Sequence, residues 1–275
     1  MSYRSLLLSL PLLLLLGVTT RSDANPLEQR FGLNLGWYAM SSDTRIRVDS
    51  VRFEQIGTEF DLEDALGLDD EDVFRLEGVW RFLPRHKLRL MYFDSNRTSD
   101  DELDFELNFG DQTFPVDVTI RTDFDFEIIE LAYEYQFLHS DRYELGGSIG
   151  IHNVGFDLSL RVAADVGGGE ASGSISESAN ADAPLPVIGL RGTFRLGGNF
   201  YAQAHAQYFQ LKYEEYDGSL QDYQVGVLWQ FSEHFGVGLA YNLFMTDVDM
   251  DDGDRFTGKL DWDYDGAQLY VRAGF

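Results

Sequence analysis

Gln268-Leu269-Tyr270-Val271-Arg272-Ala273-Gly274-Phe275 is the stretch on which the fold turns. In an extended chain successive side chains point to opposite faces. Leu269, Val271, Ala273 and Phe275 therefore share one face, and Gln268, Tyr270, Arg272 and Gly274 share the other. The same period of two recurs upstream. Phe31, Leu33, Leu35 and Trp37 oppose Gly32, Asn34 and Gly36, and Ile129, Leu131, Tyr133, Tyr135 and Phe137 oppose Glu130, Ala132, Glu134 and Gln136. Similar runs lie near 74–82, 87–92, 143–152, 188–196, 200–208, 223–231 and 235–243. With the last stretch as the closing strand, that makes about ten strands, each long enough for the ~9–11 residues of a tilted membrane strand.

A soluble sandwich or a soluble barrel would also alternate. Connection lengths separate the readings. Very short turns stand at Pro84-Arg85-His86, His139-Ser140-Asp141-Arg142, Gly197-Gly198-Asn199 and Ser232-Glu233-His234. Long connections span roughly 41–72, 94–125, 163–183, 213–221 and 246–266. Short turns at one end and long loops at the other predict an all-β, transmembrane, antiparallel up-and-down barrel with extended extracellular hairpins. Phe31, Phe82, Phe137, Tyr143, Phe200, Phe231, Phe235 and Phe275 fall at strand ends beside the short turns or the termini, all on the apolar face. They form the aromatic girdle of a lipid–water interface.

The N-terminus supplies the route. Met1-Ser2-Tyr3-Arg4 leads into an apolar run from Leu6 to Val18, too short to span a bilayer, followed by Ser22-Asp23-Ala24. Residues 1–24 are expected to be a cleaved signal peptide and 25–275 the barrel domain. There is no cysteine, which excludes disulfides and lipidation at a thiol. A net charge of -26 argues against nucleic acid or an anionic membrane surface as a direct partner.

A chain ending on an aromatic at the close of such a strand resembles the small outer-membrane barrel proteins of the OmpA, OmpX and OmpW groups. The stretch Gly57-Thr58-Glu59-Phe60-Asp61-Leu62-Glu63-Asp64, continuing to Leu68-Asp69-Asp70, is similar to a segment of uncharacterised proteobacterial barrel proteins. The resemblance implies the outer membrane of a Gram-negative bacterium and no particular activity. Those groups are usually eight-stranded, so their functions do not transfer directly.

Parity places Arg75, Glu77, Arg81, Arg89, Glu130, Glu134, Glu144, Arg191, Arg195 and Arg272 on the inner face. In a narrow lumen they are expected to pair into a polar plug, because buried charges persist only when partnered. A narrow pore whose selectivity they set is the alternative. His152 and His205 also point inward, and Ser148 shares the face of His152 but stands roughly 13 Å from it at ~3.3 Å per residue, too far for a nucleophile and its base. No Gly-x-Ser-x-Gly or His-Glu-x-x-His spacing occurs, so a hydrolase assembled across strands ranks third.

The outer loops are acidic. From Glu54 to Asp72 there are nine Asp or Glu and no Lys or Arg. Asp247, Asp249, Asp251, Asp252 and Asp254 form a second cluster, which fails as an EF-hand because Asp252 takes the glycine position and Gly258 the position of the bidentate Glu. Leu62–Leu68 reads as one short helical turn, and 163–182 as a flexible Gly/Ser loop. The expectation is a monomeric, non-enzymatic barrel with a structural or surface-interaction role and no cofactor or dedicated metal site. Its expected partners are outer-membrane lipid and lipopolysaccharide, bridged by divalent cations.

Overall fold

Strands with one greasy and one polar face cannot leave an edge open in lipid; they must close on themselves. The computed structural model describes residues 25–50, 52–162, 175–213, 216–250 and 257–275. In chain order these form β1 (Phe31–Val48), β2 (Phe60–Asp61), α1 (Leu62–Leu66), β3 (Asp72–Leu83), β4 (His86–Glu102), β5 (Leu107–Phe109) and β6 (Gln112–Phe114). There follow β7 (Thr119–His139), β8 (Tyr143–Val162), β9 (Ser176–Gly197), β10 (Phe200–Tyr213), β11 (Tyr216–Gln230), β12 (Phe235–Met250) and β13 (Gly258–Gly274). Ten of them, β1-β3-β4-β7-β8-β9-β10-β11-β12-β13, pair antiparallel with their neighbours, and β13 returns to β1 from Gly32↔Gly274 to Val48↔Gly258. Phe31 and Phe275 seal the closure, each N–H donating to the other's carbonyl at 2.8 and 2.9 Å. The closed antiparallel barrel expected from the alternation is what forms.

Its strands continue beyond the bilayer, as extended hairpins require. They run from 12 residues in β3 to 22 in β9, where about 9–11 suffice to cross a bilayer. The long connections are largely strand, as expected of extended hairpins in which acids alternate with aromatics over 123–127 and 261–265: β1 continues to Val48, β4 to Glu102 and β12 to Met250. Ser176–Asp182, expected to be loop, belongs to β9 and pairs with β8. The leader expected over 1–24, residues 163–174 of the Gly/Ser loop, and Asp251, Asp252 and Asp254 of the second acidic cluster lie outside the described residues.

A reversal of facing runs round the barrel. In β7, Ile129, Leu131, Tyr135 and Phe137 are exposed while Glu130 and Glu134 are buried. Above Ile129 the pattern inverts: Phe124, Phe126 and Ile128 are buried, and Arg121, Asp123, Asp125 and Glu127 face out. Parity never slips; polarity does. Two adjacent apolar residues mark the switch, one outward and one inward: Trp37 with Tyr38, Phe74 with Val73, Tyr92 with Phe93, Ile129 with Ile128, Ile188 with Val187, Tyr208 with Phe209, and Leu243 with Phe244. Several of these pairs lie directly opposite one another, Trp37↔Phe74 with Tyr38↔Val73, and Tyr92↔Ile129 with Phe93↔Ile128. They form a ring, and the ring is the outer rim of the lipid-facing belt. Below it the barrel is apolar outside and polar inside; above it the barrel has the apolar interior of a soluble β protein.

The outer interior is filled from above. Phe93, Phe126, Phe244, Trp262 and Tyr264 pack ring on ring, and the loops add Phe60, Leu62, Leu66, Leu107, Phe109 and Phe114, all buried. The expected helical turn is α1. Asp61 caps it by accepting from the N–H groups of Glu63 and Asp64, and Gly67 ends it at φ 62°, a left-handed conformation that favours glycine. Glu63 ties α1 to the inner wall: it accepts from Thr44 N at 2.7 Å and Thr44 Oγ1 at 2.9 Å, and meets Arg97 at 2.5 Å. The β5–β6 hairpin is pinned beside it by Thr58 and Asn108, whose backbones and side chains exchange bonds of 2.8 and 3.0 Å.

The other end carries the short turns, and the segment Asn25–Arg30 lies across its mouth. Asn25 donates to Asp141 O at 3.2 Å on one side and Gln29 to Glu233 O at 3.0 Å on the other. Leu27 between them is buried with Tyr201, Leu228, Ala240 and Tyr270.

Candidate functional site: the barrel lumen

Below the ring, the inward positions of ten strands meet in a space too narrow for water to solvate them all, so each charge must find a partner. Nearest the strapped mouth, Glu144 on β8 accepts from Arg81 at 2.8 Å and is bonded by Lys87, both reaching across from β3 and β4. Arg81 also donates to Leu27 O at 2.7 Å and Pro84 O at 3.0 Å, fastening the N-terminal segment to the same carboxylate. One layer further in, Arg89 bridges Glu77 at 2.6 Å and Glu134 at 2.7 Å, and Arg191 meets Glu134 at 3.1 Å. Glu77 accepts from Asn34 at 2.8 Å as well.

Deeper still, two acid–histidine pairs sit just under the ring. Glu130 accepts from Gln207 at 2.6 Å and lies 3.7 Å from His152, which contacts Gln207 at 3.1 Å; His205 lies 3.1 Å from Asp222. All five side chains are buried. The aromatic layer lies above them, with the His152 ring stacked on Phe244 at 6.5 Å between centroids.

The structure thus brings Arg75, Glu77, Arg81, Arg89, Glu130, Glu134, Glu144, Arg191 and Arg272 into one lumen. Arg195 stands apart at the Gly197–Asn199 turn, where it donates to Gly198 O at 2.9 Å and approaches the Tyr201 ring at 5.9 Å. Of the closing strand, Leu269, Val271 and Phe275 are exposed on the lipid-facing belt, whereas Tyr270 points inward and donates to Gln203 at 2.6 Å. Two charged members escape a charge count made along the sequence. Lys87 shares the parity of Arg89, and Asp222 sits one residue before the stretch that begins to alternate at Tyr223.

Not every cation bonds a carboxylate. Among the described residues Arg75, buried, hydrogen-bonds only Asn242 Oδ1 at 3.4 Å, its second terminal nitrogen has no hydrogen-bond partner, and Asp222 and Glu77 balance its charge from a longer distance. Among the described residues Arg272 bonds amide oxygens, Asn34 Oδ1 at 3.2 Å and Gln29 Oε1 at 3.1 Å, and its Nε has no hydrogen-bond partner.

No protein-family model matches the chain, and no curated protein matches it in sequence. Among solved structures it is similar to the outer-membrane protease OmpT from Escherichia coli, with a TM-score of 0.58 and 12% identity over 89% of this chain and 96% of that one. The fold is that of an outer-membrane β-barrel. The attachment invasion locus protein Ail of Yersinia pestis also aligns, with a TM-score of 0.35 and 11% identity over 90% of this chain and 99% of that one. A FadL homologue of Pseudomonas aeruginosa aligns with a TM-score of 0.38 and 8% identity over 92% of each chain. At 12% identity the likeness to OmpT concerns the fold and carries no activity with it.

Proposed function

We propose that this protein resides in the outer membrane as a monomeric structural or surface-interaction barrel whose lumen does not conduct. The observation that carries the reading is the double filling of the interior. The Glu77–Arg89–Glu134–Arg191 layer crosses the lumen at membrane depth, and α1 with the β5–β6 hairpin fills it above the ring. Reconstitution in planar bilayers tests this directly: the barrel should insert without a steady single-channel current. A stable conductance would replace the reading with the narrow pore. The reading includes no enzymatic step. A hydrolase needs reacting groups that a substrate can reach, and the acid–histidine pairs here lie beneath the aromatic layer.

The outward face above the ring supports a partner. Asp94 faces Glu127, Asp125 faces Asp157, Asp43 faces Asp263 and Asp247 faces Asp261 across adjacent strands. Like charges set directly opposite one another are destabilising, and divalent cations shared with lipopolysaccharide phosphates would relieve them at the level of the headgroups. Chelating calcium and magnesium should lower the thermal midpoint of the barrel in lipopolysaccharide-containing bilayers. An unchanged midpoint would contradict the bridging.

A further inference from the structure

We propose that the lipid-facing wall at the barrel's seam holds one anionic glycerophospholipid of the leaflet on the short-turn side, with an acyl chain in an apolar groove and the phosphate on Arg30. The groove follows from where the outward side chains are small. In one row across the seam, Ala273 opposes Leu33, Leu33 opposes Gly78, and Gly78 opposes Leu90. One row nearer the mouth, Phe31 opposes Trp80, and the two rings stack with centroids 6.2 Å apart and planes 4° apart. The low positions at Gly78 and Ala273 open a recess among these ridges, with Phe31, Trp80 and Phe275 at its foot and a volume of about 460 Å³. That falls within the ~300–1,000 Å³ of small-ligand sites.

Packing within the barrel does not call for glycine at position 78. A Cβ added there would meet no atom within 4 Å, and the backbone is ordinary strand. A glycine inside a strand weakens it, and is characteristic of places where a ligand or another backbone comes close. The headgroup end is fixed as well. Arg30 N–H donates to Phe275 O at 2.6 Å and Arg30 O accepts from Arg81 N–H at 2.8 Å, which clamps its backbone between β13 and β3. Its exposed guanidinium lies 5.9 Å from the centroid of the Phe31 ring and meets no carboxylate among the described residues. Phe31 borders both the groove and the cation, so one lipid can reach the two together. The guanidinium fork pairs phosphate oxygens while the attached chain covers the apolar recess, which sets the ligand class. The net charge of -26 does not bar such a lipid. The carboxylates that face one another across strands stand above the ring. They are separated from Arg30 by the ~30 Å of a bilayer's hydrocarbon, and salt screens charge beyond roughly 8 Å.

The test uses the full barrel in a non-ionic detergent, titrated with dioctanoyl phosphatidylglycerol, dioctanoyl phosphatidylethanolamine, or glycerophosphoglycerol, which has the headgroup and no chains. Native mass spectrometry counts the bound lipids, and the thermal midpoint follows their stabilisation of the folded state by mass action. One phosphatidylglycerol per barrel should bind saturably and at least tenfold more tightly than phosphatidylethanolamine, and the chainless headgroup should not bind. Gly78→Leu fills the groove where there is open space for it. It should keep the parent's midpoint without lipid and bind phosphatidylglycerol at least tenfold more weakly. Ala204→Leu, at an outward position of β10 on the far side of the barrel, should leave binding unchanged. Arg30→Gln should bring the two lipids to equal affinity. None of these results depends on whether the lumen conducts. The proposal is overturned by the absence of a saturable phosphatidylglycerol site, by binding of the chainless headgroup, by undiminished binding in Gly78→Leu, by equal losses in Gly78→Leu and Ala204→Leu, or by a lipid preference that survives Arg30→Gln.

Discussion

Below its ring of paired apolar residues the barrel is built inside out; above it, the same strands are built like a water-soluble protein. In β7 the lower half offers Leu131 to lipid and Glu130 to the interior, while the upper half offers Asp125 to water and Phe126 to the interior. The backbone and its hydrogen bonds continue unbroken through the change. What differs is the solvent. Lipid draws apolar side chains outward because water-free surroundings cannot host charge, and water drives them inward because exposing them is costly. One strand can obey both solvents by shifting its apolar residues one position along, which leaves the inward and outward parity intact.

Five substitutions break or sharpen this contrast. In the lower half, Glu134→Gln removes the carboxylate that Arg89 and Arg191 share and should cost about 3–5 kcal/mol, the penalty for stranding a buried charge. In the upper half, Phe126→Ala, which removes a ring packed against Trp262, should cost a comparable ~3–5 kcal/mol through lost burial and the cavity left behind. Urea unfolding of the barrel reinserted in vesicles measures both. A cheap Glu134→Gln would mean that the lower interior is wet and solvated.

Facing is tested next. Val225→Arg, on the lipid side, should destabilise by about 2–4 kcal/mol. Asp125→Arg, outward but above the ring, should stay within ~0.5 kcal/mol in lipid without lipopolysaccharide. Equal costs would contradict the ring as a boundary.

The smallest effect is a pH dependence. Asp247 shares a hydrogen bond with Asp261 across β12 and β13, which pushes its carboxyl up to about 7 while Asp261 is lowered. With its pKa raised in the folded state, Asp247 contributes stability that is present below about pH 4 and lost as pH rises through about 7. Asp247→Asn should flatten the thermal midpoint across that window and raise it slightly at pH 8. A profile unchanged by the substitution would remove the shared proton from the account.

Much of this was legible in the sequence. The period of two, the short turns and the girdle phenylalanines are enough to define the lower barrel, because there the apolar face is the outward one throughout. The upper barrel was only half legible. Asp123-Phe124-Asp125-Phe126-Glu127 and Asp261-Trp262-Asp263-Tyr264-Asp265 read plainly as strand, but alternation does not say which face looks inward. The signal that does say so is the doubled apolar residue, Tyr92-Phe93, Ile128-Ile129, Leu243-Phe244, where one solvent hands over to the other. The lumen was legible as a set of charges and not as pairs. Glu144 finds Arg81 and Lys87 through the register and closure of the barrel, and no spacing along the chain encodes that. Arg195 carries the right parity but sits within reach of the turn carbonyl of Gly198, which satisfies it locally.

The absence of cysteine makes every introduced thiol unique, so a spin-label scan along the outward positions of β7 measures the inversion most directly. Labels at Ile129, Leu131, Tyr133 and Tyr135 should be open to oxygen and shielded from a water-soluble nickel chelate, and labels at Arg121, Asp123 and Asp125 should show the reverse, with the crossover at Glu127. A single uniform accessibility from Arg121 to Tyr135 would contradict it.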